Sequence, residues 1–243
     1  MNKYSIFSVC TENYNDALEL FLPSWVRFQA VEKVYVFTNY EPVYRHEKVV
    51  YFNILGIEND WLKATGSKAF ALKEFLNRTT HERFAYIDID CYIHEDISEV
   101  FNKEFDIACT RMNEGTTSNS GVFFCQRSPA LDVFADRWMK LQKEKWNKGI
   151  GTTEHNQSYQ QISYSEIVHS ENKNNTYLSV LPVSKDKYNY ESNRPQRWIK
   201  DIVFYKPKVL HLKGRMFRDR DHMKKMHLEL KKVPRDTAGL NKV

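Results

Sequence analysis

The sequence is short of several features that decide a protein's class early. Only four cysteines occur in 243 residues (Cys10, Cys91, Cys109 and Cys125), with no C-x-x-C pair and no zinc-type spacing. Neither a disulfide scaffold nor a structural zinc module is expected. Cys10, Cys109 and Cys125 fall in or at the ends of apolar, strand-like runs and Cys91 just follows one, the setting of buried reduced thiols. No window approaches 18 consecutive apolar residues, and the opening MNKYSIFSVC lacks the apolar core of a signal peptide. No spanning helix is expected, and the chain reads as cytoplasmic. A basic surplus is missing from most of the chain as well. Residues 1–212 hold 26 Lys and Arg against 27 Asp and Glu, whereas 213–243 hold 10 against 4. The net charge of +5 therefore belongs to the C-terminal tail, which argues against nucleic acid as a partner. Repeats, low-complexity tracts and linker-like composition are absent too.

With 42% apolar and 14% aromatic residues, one sizeable core can form. Short apolar runs alternate with helical periodicity, the pattern of strands and crossover helices in an α/β fold with a mostly parallel sheet flanked by helices. The runs predict strands at 4–10, 34–38, 49–52, 83–87, 106–110, 121–125, 177–181 and 209–212, the last two closing the sheet. Helices are predicted at 16–29, where Pro23 should kink or split the helix, at 67–77, at 128–148 and at 154–164. Ser128-Pro129 supplies an N-cap and a first-turn proline. The polar stretch Glu171–Asn175 reads as a surface loop. Residues 1–214 make one domain, followed by a basic, helical tail over 215–243.

The sharpest feature is Phe84-Ala85-Tyr86-Ile87-Asp88-Ile89-Asp90, an apolar strand delivering two carboxylates at its C-terminal end. In open α/β sheets that edge is where ligands bind. Residues two apart on an extended chain face the same way, so Asp88 and Asp90 can approach one hard cation, Mn²⁺ or Mg²⁺, that bridges to a diphosphate. Haloacid dehalogenase-type phosphatases also carry D-x-D after an apolar strand, with the first Asp as nucleophile. Tyr92 stands where they normally have Thr or Val, and three strands precede this one rather than none.

Three further segments accompany the pair: Asn119-Ser120-Gly121 entering an apolar strand, Glu154-His155-Asn156-Gln157 opening a helix, and His211-Leu212-Lys213-Gly214 after the last strand. In this order the chain resembles GT-A glycosyltransferases of the glycogenin and lipopolysaccharide-galactosyltransferase kind, from the first strand to about residue 217. The resemblance implies a metal held by Asp88, Asp90 and His211. It also implies a donor sugar beside Asn119 and Gly121, and a reaction face at Asn156 and Gln157, where Asn replaces the usual Asp and Glu154 is a substitute carboxylate. Thr11, Asn13 and Tyr14 then occupy the place of nucleobase and ribose contacts. Lys68 is placed to touch the nucleotide, and Lys213 and Gly214 the phosphates. The implied activity is hexose transfer from a nucleotide-sugar, UDP-sugar favoured, to a glycan or lipid-linked acceptor, with retention. An inverting enzyme would need a carboxylate base, for which Glu154 is a candidate. Nucleotide-sugar binding without turnover is a third reading. In the tail, basic residues interleave with Met, Phe and Leu, suiting either a helix packed on the domain or peripheral contact with an anionic membrane.

Overall fold

A computed structural model describes residues 2–54, 61–111, 118–148, 159–174, 177–192 and 206–212, together with Lys224 and Leu228. The first strand, β1 (Tyr4–Cys10), is buried at every position. Alternate residues serve two different cores: Tyr4, Ile6 and Cys10 face one, Phe7 and Val9 the other. A strand covered on both faces belongs inside a sheet. Parallel to it run β2 (Val31–Thr38), β3 (Val49–Asn53) and β4 (Arg83–Ile87). Beyond β4 come β6 (Ile107–Arg111), β7 (Ser118–Gln126) and β8 (Val180–Val183). The order across the sheet is β3-β2-β1-β4-β7-β6-β8, and β7 alone runs against its neighbours.

Three short strands make a second sheet in the order β5-β10-β9: β5 (Cys91–Ile93), β9 (Tyr190–Ser192) and β10 (Val209–Leu212). The expectation that residues 209–212 close the main sheet is therefore corrected. They pair antiparallel with β5, which directly follows the D-x-D, and the edge of the main sheet is β8. That edge contains Pro182, which has no N–H to give a ladder and is tolerated where no further strand follows.

Helix α1 (Asn15–Val26) and the small sheet cover one face of the main sheet. Helices α2 (Trp61–Arg78), α3 (Pro129–Asn147) and α4 (Tyr159–Asn174) cover the other. Pro23 lies inside α1 without splitting it, and the buried Phe21, Leu22, Ser24 and Trp25 on either side hold the helix down. In α2, Ala69, Leu72, Phe75 and Leu76 form the buried stripe, while Phe70 turns outward at 41% exposure. Ser128 caps α3 as expected, its side chain accepting from Leu131 N. α4 runs on through Asn174, so residues 171–174 are helical rather than a loop. Tyr164, Ile167 and Val168 at helical spacing anchor it. Most of the large, fully buried side chains are aromatic, Trp25, Trp138, Tyr86 and Phe123 among them. Phe7, Phe75, Tyr86 and Phe123 pack at centroid separations of 4.9 to 6.0 Å. The aromatic excess thus fills cores. All four cysteines are buried and free, and burial pushes the Cys10 thiol up to about 12. No helix among the described residues is long and apolar enough to cross a membrane.

Candidate functional site

The D-x-D lies where β4 leaves the main sheet. Asp88 N donates to Gly121 O at 2.8 Å, and Cys91 N donates to Asp88 O at 3.0 Å. The second bond makes Asp88–Cys91 a turn rather than extended chain. The carboxylates are thus presented by a turn that passes the chain into the small sheet, not by strand alternation. Leu212 N donates to Asp90 O at 3.0 Å, which sews the turn to β10 and brings in the preceding residue. His211 Nε2 stands 3.1 Å from Asp90 Oδ1 and 3.7 Å from Asp88 Oδ2.

The orientation of His211 follows from its neighbours. Asn189 Nδ2 donates to Thr110 Oγ1 at 3.0 Å, leaving Asn189 Oδ1 to accept from His211 Nδ1 at 2.8 Å. An amide oxygen only accepts, so Nδ1 carries a proton and Nε2 is turned towards the two carboxylates. Between Nε2 and the carboxylates, a proton or a bound cation satisfies the facing lone pairs. The arrangement is that of a metal-ligating histidine with its second nitrogen anchored. The residues present fit a divalent cation. Among the described residues, ligand atoms of Asp90, Cys91 and His211 lie within 4.8 Å of one another, a grouping that holds the Cys91 thiol and not the expected Asp88. Asp88 Oδ2, 3.7 Å from His211 Nε2, offers carboxylate oxygen, which suits Mn²⁺ or Mg²⁺ better than sulfur does.

Asp88 is held from behind. Lys68, 6% exposed, places Nζ 2.6 Å from Oδ1 and 2.8 Å from Oδ2, and Tyr86 donates its hydroxyl to Oδ1 at 2.7 Å. Burial, then the Asp88 charge, hold the Tyr86 phenol well above its usual range, so it remains a donor.

Gly121 closes the site. A Cβ built on it would stand 2.4 Å from His211 Cε1, 2.8 Å from Asp88 Oδ2 and 2.9 Å from Asn119 Oδ1. No side chain fits there, and the lack of one lets histidine, aspartate and asparagine crowd together. The β6–β7 register slips between Cys109/Phe123 and Thr110/Asn119, leaving 120–122 without β6 partners. Side chains hold this bulge instead. Gln161 Oε1 accepts from Ser120 N at 3.0 Å and from Ser120 Oγ at 2.8 Å, and Gln161 Nε2 donates to Ser118 O. Asn119 Oδ1 accepts from Gly121 N at 2.6 Å, and Asn119 Nδ2 donates to Glu191 Oε1 at 2.6 Å.

The structure thus brings Lys68, Asp88, Asp90, Asn119, Gly121 and His211 together. Thr11 is buried at the end of β1, on the same edge of the sheet, with no hydrogen-bond partner for its Oγ1. Asn13 and Tyr14 lie in the 3-10 turn that follows, Asn13 exposed and Tyr14 half-buried. Glu154, Asn156, Gln157, Lys213 and Gly214 lie outside the described residues. So does the tail, except Lys224 and Leu228, which are exposed. Tyr86, Gln161, Asn189 and Glu191 were missed. Asn189 and Glu191 sit on or beside a three-residue strand, too short to leave a periodic signal.

The sheet order, the single reversed strand and the small sheet carrying the histidine define a GT-A glycosyltransferase fold. The similar solved structures bear this out. GlyE, a glycosyltransferase of Streptococcus pneumoniae TIGR4, superposes over 94% of this chain with a TM-score of 0.63 at 14% identity, and this chain spans 61% of GlyE. The galactosyltransferase LgtC, solved with donor and acceptor sugar analogs, gives 0.57 over 97% of this chain and 99% of its own at 11% identity. A glycosyltransferase involved in glycosylation of the major capsid of PBCV-1 gives 0.59 over 92% and 99% at 13% identity. No protein-family model matches the chain, and no curated protein does.

Proposed function

We propose that the chain is a metal-dependent glycosyltransferase that moves a hexose from a nucleotide-sugar, UDP-sugar favoured, to a glycan or lipid-linked acceptor with retention. Residues 1–214 are its catalytic domain and 215–243 an appended basic tail. One observation carries the reading: His211, tied at Nδ1, turns Nε2 onto Asp90 and Asp88 at 3.1 and 3.7 Å. Asp88, Asp90 and His211 would hold Mn²⁺ or Mg²⁺, which on binding supplies charge neutralisation to a departing diphosphate. Lys68 offsets the Asp88 charge so that an anionic donor can approach. Gly121 keeps the space beside the ligands clear. Asn119 offers its amide to the sugar, and the buried, unpartnered Thr11 Oγ1 offers a hydrogen bond to the nucleoside.

The phosphohydrolase alternative needs Asp88 as a free nucleophile, yet Lys68 contacts both of its oxygens and Tyr86 one of them. A thermal-shift panel of nucleotide-sugars with and without Mn²⁺ tests the proposal. A matching donor at about 100 times its Kd should stabilise the fold by about 2.7 kcal/mol, only with the metal and not in His211→Ala. Donor stabilisation that survives chelation removes the metal role. No response to any donor, with phosphatase activity inhibited by beryllium fluoride, overturns the assignment.

A further inference from the structure

The small sheet places a further polar residue, Glu191, against the site. β10 pairs with β5 through His211 and Cys91 and with β9 through His211 and Glu191, so these three residues stand in a row on one face. The Glu191 side chain is 14% exposed, and Lys185 Nζ stands 3.2 Å from its Oε2. Its other oxygen accepts from Asn119.

We propose that Glu191 is a positioning residue of the transferase site, fixing the amide of Asn119; the inference rests on the functional reading above. A carboxylate only accepts, so Asn119 must turn its nitrogen to Glu191 and its oxygen to Gly121 N. A flipped amide would set oxygen against oxygen at one end and N–H against N–H at the other. The second Asn119 N–H is thereby given one direction. The same contact extends a chain of hydrogen bonds from Glu191 to Asn119 to Gly121 N, while Gly121 O accepts from Asp88 N. The bulge lacks β6 partners and Gln161 holds its backbone, so this chain sets the Asn119 side chain rather than the ligands. Charge assistance makes the Glu191 bond stronger than a neutral one, and Lys185 balances a carboxylate otherwise beside Asp88 and Asp90.

The test compares Glu191→Ala, Glu191→Gln and Asn119→Ala with the double variant Asn119→Ala/Glu191→Ala. Metal-dependent donor turnover, donor KM, Mn²⁺ affinity and Tm are measured for each. Glu191→Ala should lower kcat by about 10- to 100-fold, with KM and Mn²⁺ affinity within about twofold. Glu191→Gln should recover most of the rate, since its Oε1 accepts the same bond, and the double variant should be no worse than Asn119→Ala. Full activity in Glu191→Ala, equal loss in Glu191→Gln, or additive losses would overturn the proposal. If Glu191→Ala does not fold, Asn119→Asp answers instead. It should be inactive from carboxylate facing carboxylate and be partly rescued by adding Glu191→Gln; absence of rescue overturns the proposal. No metal-dependent turnover by the wild-type chain defeats the functional reading, while the same double-mutant cycle read in Tm still judges the contact.

Discussion

Replacing Gly121 with alanine adds one methyl group at the point where two proposed metal ligands, Asp88 and His211, meet Asn119. The built Cβ stands 2.4 Å from His211 Cε1, whereas carbon atoms settle at about 3.5–4.0 Å. The ring would have to retreat by roughly 1 Å, and it has nowhere to go, being 4% exposed and tied at Nδ1 to Asn189. Asp88 Oδ2 and Asn119 Oδ1, at 2.8 and 2.9 Å, must also give way. Overpacking of this kind costs about 1–3 kcal/mol of stability, a drop in Tm of about 2–12 °C for a chain of this size. The functional loss should be larger, because displacing a reacting constellation by about 1 Å costs about 100-fold. Isothermal titration of Mn²⁺ in the presence of nucleotide diphosphate, with Tm measured alongside, separates the two effects. The expected result is a well-folded Gly121→Ala with Mn²⁺ affinity down by about 100-fold, or about 2.7 kcal/mol. Affinity within about threefold of wild type would refute the reasoning, since a gap of under 1 kcal/mol cannot accommodate a displaced histidine.

Asn189→Ala should leave the His211 ring without its anchor and lower Mn²⁺ affinity by about 10- to 100-fold, read by the same titration with the fold checked by circular dichroism. Lys68→Met removes the cation behind Asp88 and should raise donor KM more than it lowers kcat, because an anionic diphosphate then meets an unscreened carboxylate; an unchanged KM would contradict this. At Glu99, burial pushes the carboxyl up, but hydrogen bonds from Lys187, Tyr188 and Lys208 outweigh it and bring the value down to about 2 from 4.5. A depressed folded value means stability that is complete above about pH 4.5 and lost as pH falls towards 2. The Tm difference between wild type and Glu99→Gln should be constant near neutrality and shrink over that window. Solvent keeps it on the order of 1 kcal/mol or less.

Elements with a strong local signature were legible in the sequence. β1, β4 and β10 have the expected bounds, because each is a short apolar run ended by polar residues. α3 announces itself through Ser128 and Pro129. The D-x-D, Asn119-x-Gly121 and His211 could be named because each is a compact motif. What could not be read is how distant segments meet. The turn at Asp88–Cys91 depends on β10 accepting the chain, and the partners of His211 and Asn119 come from β9 and its flank, where no pattern of apolar residues marks a strand. The polar end of α4 reads as a loop because Glu171-Asn172-Lys173-Asn174 carries no apolar residue to mark helical periodicity.

Helix α1 supplies none of the proposed metal ligands, yet it grips β5 from behind. Trp25 Nε1 donates to Cys91 O at 2.9 Å, Ile93 N donates to Ser24 Oγ at 3.1 Å, and Arg27 donates to Ile93 O at 2.7 Å. The strand so clamped is the one on which β10, and with it the imidazole, is hung. The helix therefore acts as a remote gauge block for the spacing of aspartate and histidine. Loosening its indole anchor should weaken ion capture as well as lower the melting temperature, since Trp25 is fully buried.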